Sequence, residues 1–158
     1  MKILITYDPS NDAVLRTAKM VSELLRRTGA EIELVDISQK EIDILAPYDK
    51  LIIGGELWFG KFSANVQKYL SKNAQEILLK PTYLFVHAYA NDEVFQEQLA
   101  KTLPLEVLAH AFTFNLGMNV DMDGLNPIEK ISWKFTGQKA ETAADDDLVK
   151  AMVSVIQG

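Results

Sequence analysis

The sequence predicts an α/β domain, an open parallel sheet of five strands with helices on both faces. Two patterns carry this. Short apolar runs alternate five times with longer amphipathic segments. Several of those runs are unbroken, as strands covered on both faces require. The 158 residues, 48% of them apolar, suffice for one compact domain over residues 1–158.

Lys2–Tyr7 reads as a buried strand, with Ile3, Leu4 and Ile5 in succession. The helix that follows, over Val14–Arg27, sets Val14, Ala18, Val21, Leu24 and Leu25 on one stripe and closes at Gly29. Glu31–Asp36 sets Ile32 and Leu34 against Glu33 and Val35, the alternation of a strand nearer an edge. Lys40–Tyr48 has room for one helical turn. Lys50–Gly55 is the third strand, stopped by its two glycines. Ser63 caps a helix running to about Leu79, with Val66, Leu70, Ile77 and Leu78 inward and Pro81 as its breaker. Thr82–Ala88 is the fourth strand, and Asn91 caps a helix to about Leu103. Glu106–Leu116 reads as the fifth strand. Asn126-Pro127 opens an amphipathic helix with Ile128, Ile131, Trp133 and Phe135, closed by Gly137. Ala144–Asp147 cap the last helix, with Leu148, Met152, Val155 and Ile156 as its buried stripe.

Composition narrows the function. Without cysteine, disulfides, thiolate chemistry and cysteine-ligated metals are excluded. A net charge of −6 argues against nucleic-acid partners and anionic membrane surfaces. The opening apolar run is too short for a signal peptide, and no run reaches a membrane span, so the expectation is a soluble cytoplasmic domain. His87 and His110 lie on apolar runs without ligand spacing, which suits core histidines with satisfied nitrogens and no metal site. Asp121-Met122-Asp123-Gly124 lacks the later Glu of a calcium loop and reads as a turn. Asp145-Asp146-Asp147 is a helix-start charge cluster, and no Ser/His/Asp arrangement stands out.

In a sheet of this kind ligands bind beyond the carboxyl ends of the strands. Three loops end there: 8–14, 55–62 and 87–91. The first, Asp8-Pro9-Ser10-Asn11-Asp12-Ala13-Val14, joins a strand to a helix whose free N–H groups form a natural anion site. Asp8-Pro9 also suits an N-cap and N1 pair, with Asp12 complementing the helix dipole, so that the protein fills its own anion hole. The second loop gathers Glu56, Leu57, Trp58, Phe59, Gly60 and Phe62. The third carries His87, Ala88 and Tyr89. The aromatic residues suit either a lid over the sheet edge or contact with a ligand. Glu56 suits either an exposed carboxylate or an acceptor for a ligand N–H.

Those loops resemble those of the flavodoxin family, and most nearly its short branch of menaquinone-dependent protoporphyrinogen oxidases. The similarity is clearest in Tyr48-Asp49-Lys50-Leu51-Ile52-Ile53-Gly54-Gly55-Glu56-Leu57-Trp58-Phe59-Gly60-Lys61-Phe62, in Lys80-Pro81, and in the extra helix near Asn126–Thr136 that leads into Gly137-Gln138-Lys139-Ala140-Glu141-Thr142. The resemblance implies a flavodoxin-like three-layer fold with strand order 2-1-3-4-5. It implies FMN held without covalent attachment, its phosphate in the first loop and its ring between the second and third, flanked by Trp58, Phe59 and Tyr89. It further implies removal of hydrogen from a porphyrinogen, with electrons passed to a quinone.

One loop departs from the family. Where flavodoxins place hydroxyl residues and glycine around the phosphate, this chain has Asp8 at the first hydroxyl position, Asp12 at the glycine and Val14 at the threonine. Ser10 and Asn11 remain as donors. A carboxylate about 6 Å from a phosphate costs ~3 kcal/mol per charge pair at an effective dielectric of about 20. The helix end returns at most ~2 kcal/mol. Two functions therefore stand side by side: an FMN redox protein, either an oxidase or an electron carrier, and a flavodoxin-fold module that has lost FMN and serves in binding or regulation. The apolar face of 127–136, flanked by Lys130 and Lys134, suits either packing on the sheet or peripheral membrane contact.

Overall fold

The computed structural model describes residues 1–10, 12–117 and 146–158. Its centre is a parallel sheet of β1 (Lys2–Tyr7), β2 (Glu31–Asp36), β3 (Lys50–Trp58), β5 (Thr82–Ala88) and β6 (Phe112–Asn115) in the order β2-β1-β3-β5-β6. A short β4 (Lys61–Phe62) pairs antiparallel with the end of β3. The predicted strand order is therefore observed, the fourth and fifth parallel strands being β5 and β6.

Two apolar layers sandwich the sheet, as the unbroken runs require. On one face α1 (Asp12–Arg26) and α6 (Asp146–Gln157) cover Ile3, Ile5, Ile52 and Phe85. On the other, α2 (Ala64–Lys72), α3 (Ala74–Ile77), α4 (Asp92–Thr102) and α5 (Leu105–His110) cover Leu4, Leu51, Ile53, Leu84 and Val86. Each such side chain, fully buried, contributes about 1.5–3 kcal/mol. Gly29 has φ +93° and takes up the left-handed conformation after α1. Ser63 and Asn91 cap α2 and α4, their side-chain oxygens accepting from Val66 N and Val94 N.

Several boundaries differ from the sequence expectation, each for a local reason. Gly54-Gly55 does not stop β3. Gly54 lies between Tyr7 and Phe85 in the sheet, and the Phe85 ring occupies the place a side chain would take. The segment 55–62 is thus a hairpin rather than a loop: Leu57 and Trp58 pair with Phe62 and Lys61 across a two-residue turn. Phe59 (φ +48°) and Gly60 (φ +75°) are both left-handed there, the signature of a type I′ turn that matches the twist of the strands.

Leu105–His110 is helical, so the fifth strand shrinks to Phe112–Asn115. Pro104 supplies the fixed backbone angle for a helix start, and Val107 alone of that segment turns fully inward. The α6 stripe is Val149, Met152, Val153 and Ile156, while Leu148 and Val155 are exposed. Leu78 also faces solvent, and Lys40–Tyr48 forms no helix. The expected helix at 126–136, the turn at 121–124 and Asn11 lie outside the described residues. Among those described, no helix is long and apolar enough to cross a membrane.

Candidate functional site

At the carboxyl edge of the sheet the β1–α1 loop, the β3–β4 hairpin and the start of α2 enclose a cleft of about 440 Å³. Its walls include Asp8, Ser10, Glu56, Trp58, Phe59, Lys61, Ser63 and Asn65. This is the position at which an open parallel sheet presents a ligand site.

One wall is aromatic. Trp58 meets Phe59 edge to face, ring centres 4.7 Å apart, and Tyr89 at 5.2 Å and 67°. The left-handed turn at Phe59-Gly60 presents Phe59 to Trp58 in this way. Tyr89 is buried, and that burial, with the Glu56 charge beside it, holds its phenol well above the ordinary range. The phenol therefore stays neutral and serves as an apolar surface with an O–H at its rim.

The other wall is acidic and already organised. The Asp8 backbone N–H donates to Gly54 O at 3.1 Å, which continues the line of β1 past its last paired residue. This fixes the side chain toward α2. The Ser63 hydroxyl donates to Asp8 Oδ2, and Asn65 Nδ2 donates to the same oxygen at 3.3 Å. Asp8 is 7% exposed. The expected Asp8-Pro9 cap is thus not formed: α1 starts at Asp12, and the Asp8 carboxylate is held beside α2 instead.

The residues singled out in the sequence divide into groups. Asp8, Ser10, Glu56, Trp58 and Phe59 come together in the cleft, with Tyr89 behind Trp58. Pro9 is half-buried in the loop, and Ala13 is half-buried in the first turn of α1. Val14, Leu57 and Ala88 are wholly buried. Asp12 is exposed and lines a separate hollow with Leu15, Arg16 and Lys19. Gly60 sits at the hairpin tip near Gln98.

The His87 ring is fully buried, away from the cleft. Gly117 O can only accept, so Nδ1–H donates to it at 2.6 Å, and Nε2 accepts the Thr17 hydroxyl at 2.8 Å. Burial lowers the basicity of this imidazole, more than the Gly117 bond raises it. His110 is likewise satisfied, its Nε2–H donating to Lys80 O at 2.7 Å. His87 is thus a core histidine with both nitrogens partnered, whereas His110 is only half-buried at the end of α5. Among the described residues no group of three acidic or histidine side chains is placed to hold a metal.

Ser63 and Asn65, with Lys61 and Ala64, are wall residues that the sequence did not single out for the site; Ser63 was legible only as a helix cap. The pairing of Ser63 and Asn65 with Asp8 spans 55 and 57 residues and left no local signal.

The halves of the cleft differ in what they suit. The aromatic wall fits a flat heterocycle such as an isoalloxazine. The acidic wall does not fit the FMN phosphate: a buried carboxylate holds the Ser63 hydroxyl proton and one Asn65 amide N–H, and Glu56 adds a second acidic side chain against Lys61, the one cation lining this cleft among the described residues.

A family model described as flavodoxin domain matches residues 16–147. No curated protein matches the chain in sequence. Among solved structures, it is similar to two-electron reduced flavodoxin from Megasphaera elsdenii (14% identity, TM-score 0.55, covering 96% of this chain and 98% of that one). It is similar also to a mutant flavodoxin from Pseudomonas aeruginosa (10% identity, TM-score 0.56, 100% of both chains). A third is a protein described as a putative quinone reductase from Klebsiella pneumoniae (12% identity, TM-score 0.56, 99% of this chain and 84% of that one). At these identities the likeness is one of fold.

Proposed function

The chain belongs to the flavodoxin family, and from that premise we propose that it is a flavin-binding redox protein. The observation that carries this is the aromatic wall, Trp58 with Phe59 and Tyr89, on a cleft at the carboxyl edge of the sheet. A bound flavin would supply the electron chemistry, and the protein's part is to hold and tune it. Trp58 and Phe59 line the cleft, and contact of such rings with a flat heterocycle is worth about 0.5–1.5 kcal/mol per aromatic pair beyond the area covered. The Glu56 carboxylate lines the same cleft, and in this reading it accepts an N–H from the ring. Its negative charge, with that of Asp8, disfavours added electron density nearby and so favours a low reduction potential.

The test is direct. Purified full-length protein is incubated with riboflavin or with FMN, gel-filtered and examined for flavin absorbance and quenched flavin fluorescence. Co-elution of either flavin, weakened by Trp58→Ala, supports the reading. Failure of both to bind overturns it and leaves the flavin-free binding module.

The finer proposal is oxidation of a porphyrinogen with a quinone as electron acceptor. It rests on the similarity over residues 48–62, at Lys80-Pro81 and over 126–142 to the protoporphyrinogen oxidase branch. Peripheral membrane contact through 127–136 belongs to the same proposal, since such a quinone is lipid-soluble. Flavin-loaded protein that turns a porphyrinogen into its fluorescent porphyrin faster when a quinone is added would support it. Equal rates with and without protein would leave the electron carrier.

A further inference from the structure

We propose that Asp8 sets the flavin specificity of this cleft, selecting a flavin whose ribityl chain ends in a neutral hydroxyl, of the riboflavin class, over one ending in phosphate. The inference rests on the flavin reading above and deepens it.

The carboxylate is held in place by its neighbours. Its backbone is tied to Gly54, and its Oδ2 receives both Ser63 Oγ–H and Asn65 Nδ2–H. The Ser63 oxygen also accepts from Val66 N at 3.4 Å, so the capping hydroxyl has spent its single proton on Asp8. The Ser63 hydroxyl proton and one of the two Asn65 amide N–H groups are thus committed to an anion of the protein's own. Asp8 Oδ1 has no hydrogen-bond donor among the described residues, although the residue is more than nine-tenths buried and lines the cleft. A carboxylate oxygen on the cleft wall accepts an O–H. A sugar-alcohol hydroxyl donates one, whereas a phosphate dianion brings only acceptors and like charge. Among the described residues Lys61, exposed on β4, is the one cation lining this cleft, and Glu56 stands opposite it in charge.

The experiment is a pair of titrations on the full chain, riboflavin and FMN, followed by flavin fluorescence. Riboflavin should bind more tightly than FMN by on the order of tenfold or more, equivalent to about 1.4 kcal/mol per tenfold. In Asp8→Asn the preference should fall by a similar factor, through tighter FMN binding, with circular dichroism confirming the fold. Added salt should narrow the wild-type ratio by screening the repulsion. FMN binding as tightly as riboflavin to the wild-type chain overturns the inference while leaving the flavin reading intact. So does a ratio that Asp8→Asn does not move. Failure of both flavins to bind overturns both.

Discussion

Replacing Gly54 by alanine should show how tightly the middle of the sheet is closed. A Cβ at this position would lie 2.0 Å from Phe85 Cζ and 2.4 and 2.6 Å from its two Cε atoms. Carbon atoms in contact ordinarily stand about 3.5–4.0 Å apart, so the ring would have to retreat by about 1.5 Å or more. It has little room to do so. Phe85 is fully buried under α1, and both its own strand and that of Gly54 are paired on either side. Overpacking of this kind costs about 1–3 kcal/mol, and a ring face pressed against backbone belongs at the upper end. A loss of about 3 kcal/mol is a large part of a small domain's stability and lowers the melting temperature by roughly 6–12 °C. The assay is urea unfolding followed by circular dichroism, on Gly54→Ala, Phe85→Leu and the double variant. The smaller side chain should make room, so the double variant should be more stable than the summed costs predict by about 1 kcal/mol or more. Gly54→Ala within about 0.5 kcal/mol of wild type, the range of an ordinary surface change, would refute the packing argument. Simple additivity in the cycle would refute its assignment to Phe85.

The buried His87 makes stability pH-dependent. Its folded basicity lies below the unfolded value of about 6.5, because burial outweighs the Gly117 bond and Arg16 adds to the lowering. The unfolded chain therefore takes up a proton that the folded chain refuses, and this contribution to stability is complete above about pH 6.5. It declines as pH falls below that, by up to about 1.4 kcal/mol per pH unit. Urea titrations between about pH 7.5 and 5 should show this slope in the wild type, and His87→Gln should lack it. Asn91→Ala removes the acceptor for Val94 N at 2.9 Å and should cost about 1 kcal/mol by the same assay, without altering flavin fluorescence titrations.

Much of the architecture was legible because period and run length are local properties. The strands at 2–7, 31–36 and 82–88 and the caps at Ser63 and Asn91 follow from a few neighbouring residues each. The failures share a cause. Gly54-Gly55 reads as punctuation until Phe85 is seen to fill the side-chain space at Gly54, and Phe62 and Val66 that at Gly55. Residues 105–110 carry enough apolar side chains for a strand, and only the position of Pro104 and the packing of Val107 decide for a helix. On α6 the stripes through Leu148 and through Val149 are equally apolar in sequence, and contact with α1 selects the second. At the site, the carboxylate in the first loop was legible, but its direction was not. That direction depends on Ser63 and Asn65, whose role as its donors arises only when the hairpin brings α2 to the sheet edge.

The imidazole of His87 clasps three segments that are far apart in the chain: α1 through Thr17, β5 by its own backbone, and the exit from β6 through Gly117. Such a clasp cannot close until the loops of 70 and 30 residues between these segments have themselves been drawn in. Long-range closure of this kind comes late in the order of assembly. The clasp therefore acts as a latch on the finished molecule rather than as a seed for it, and weakening it should hasten opening while leaving the rate of refolding nearly untouched.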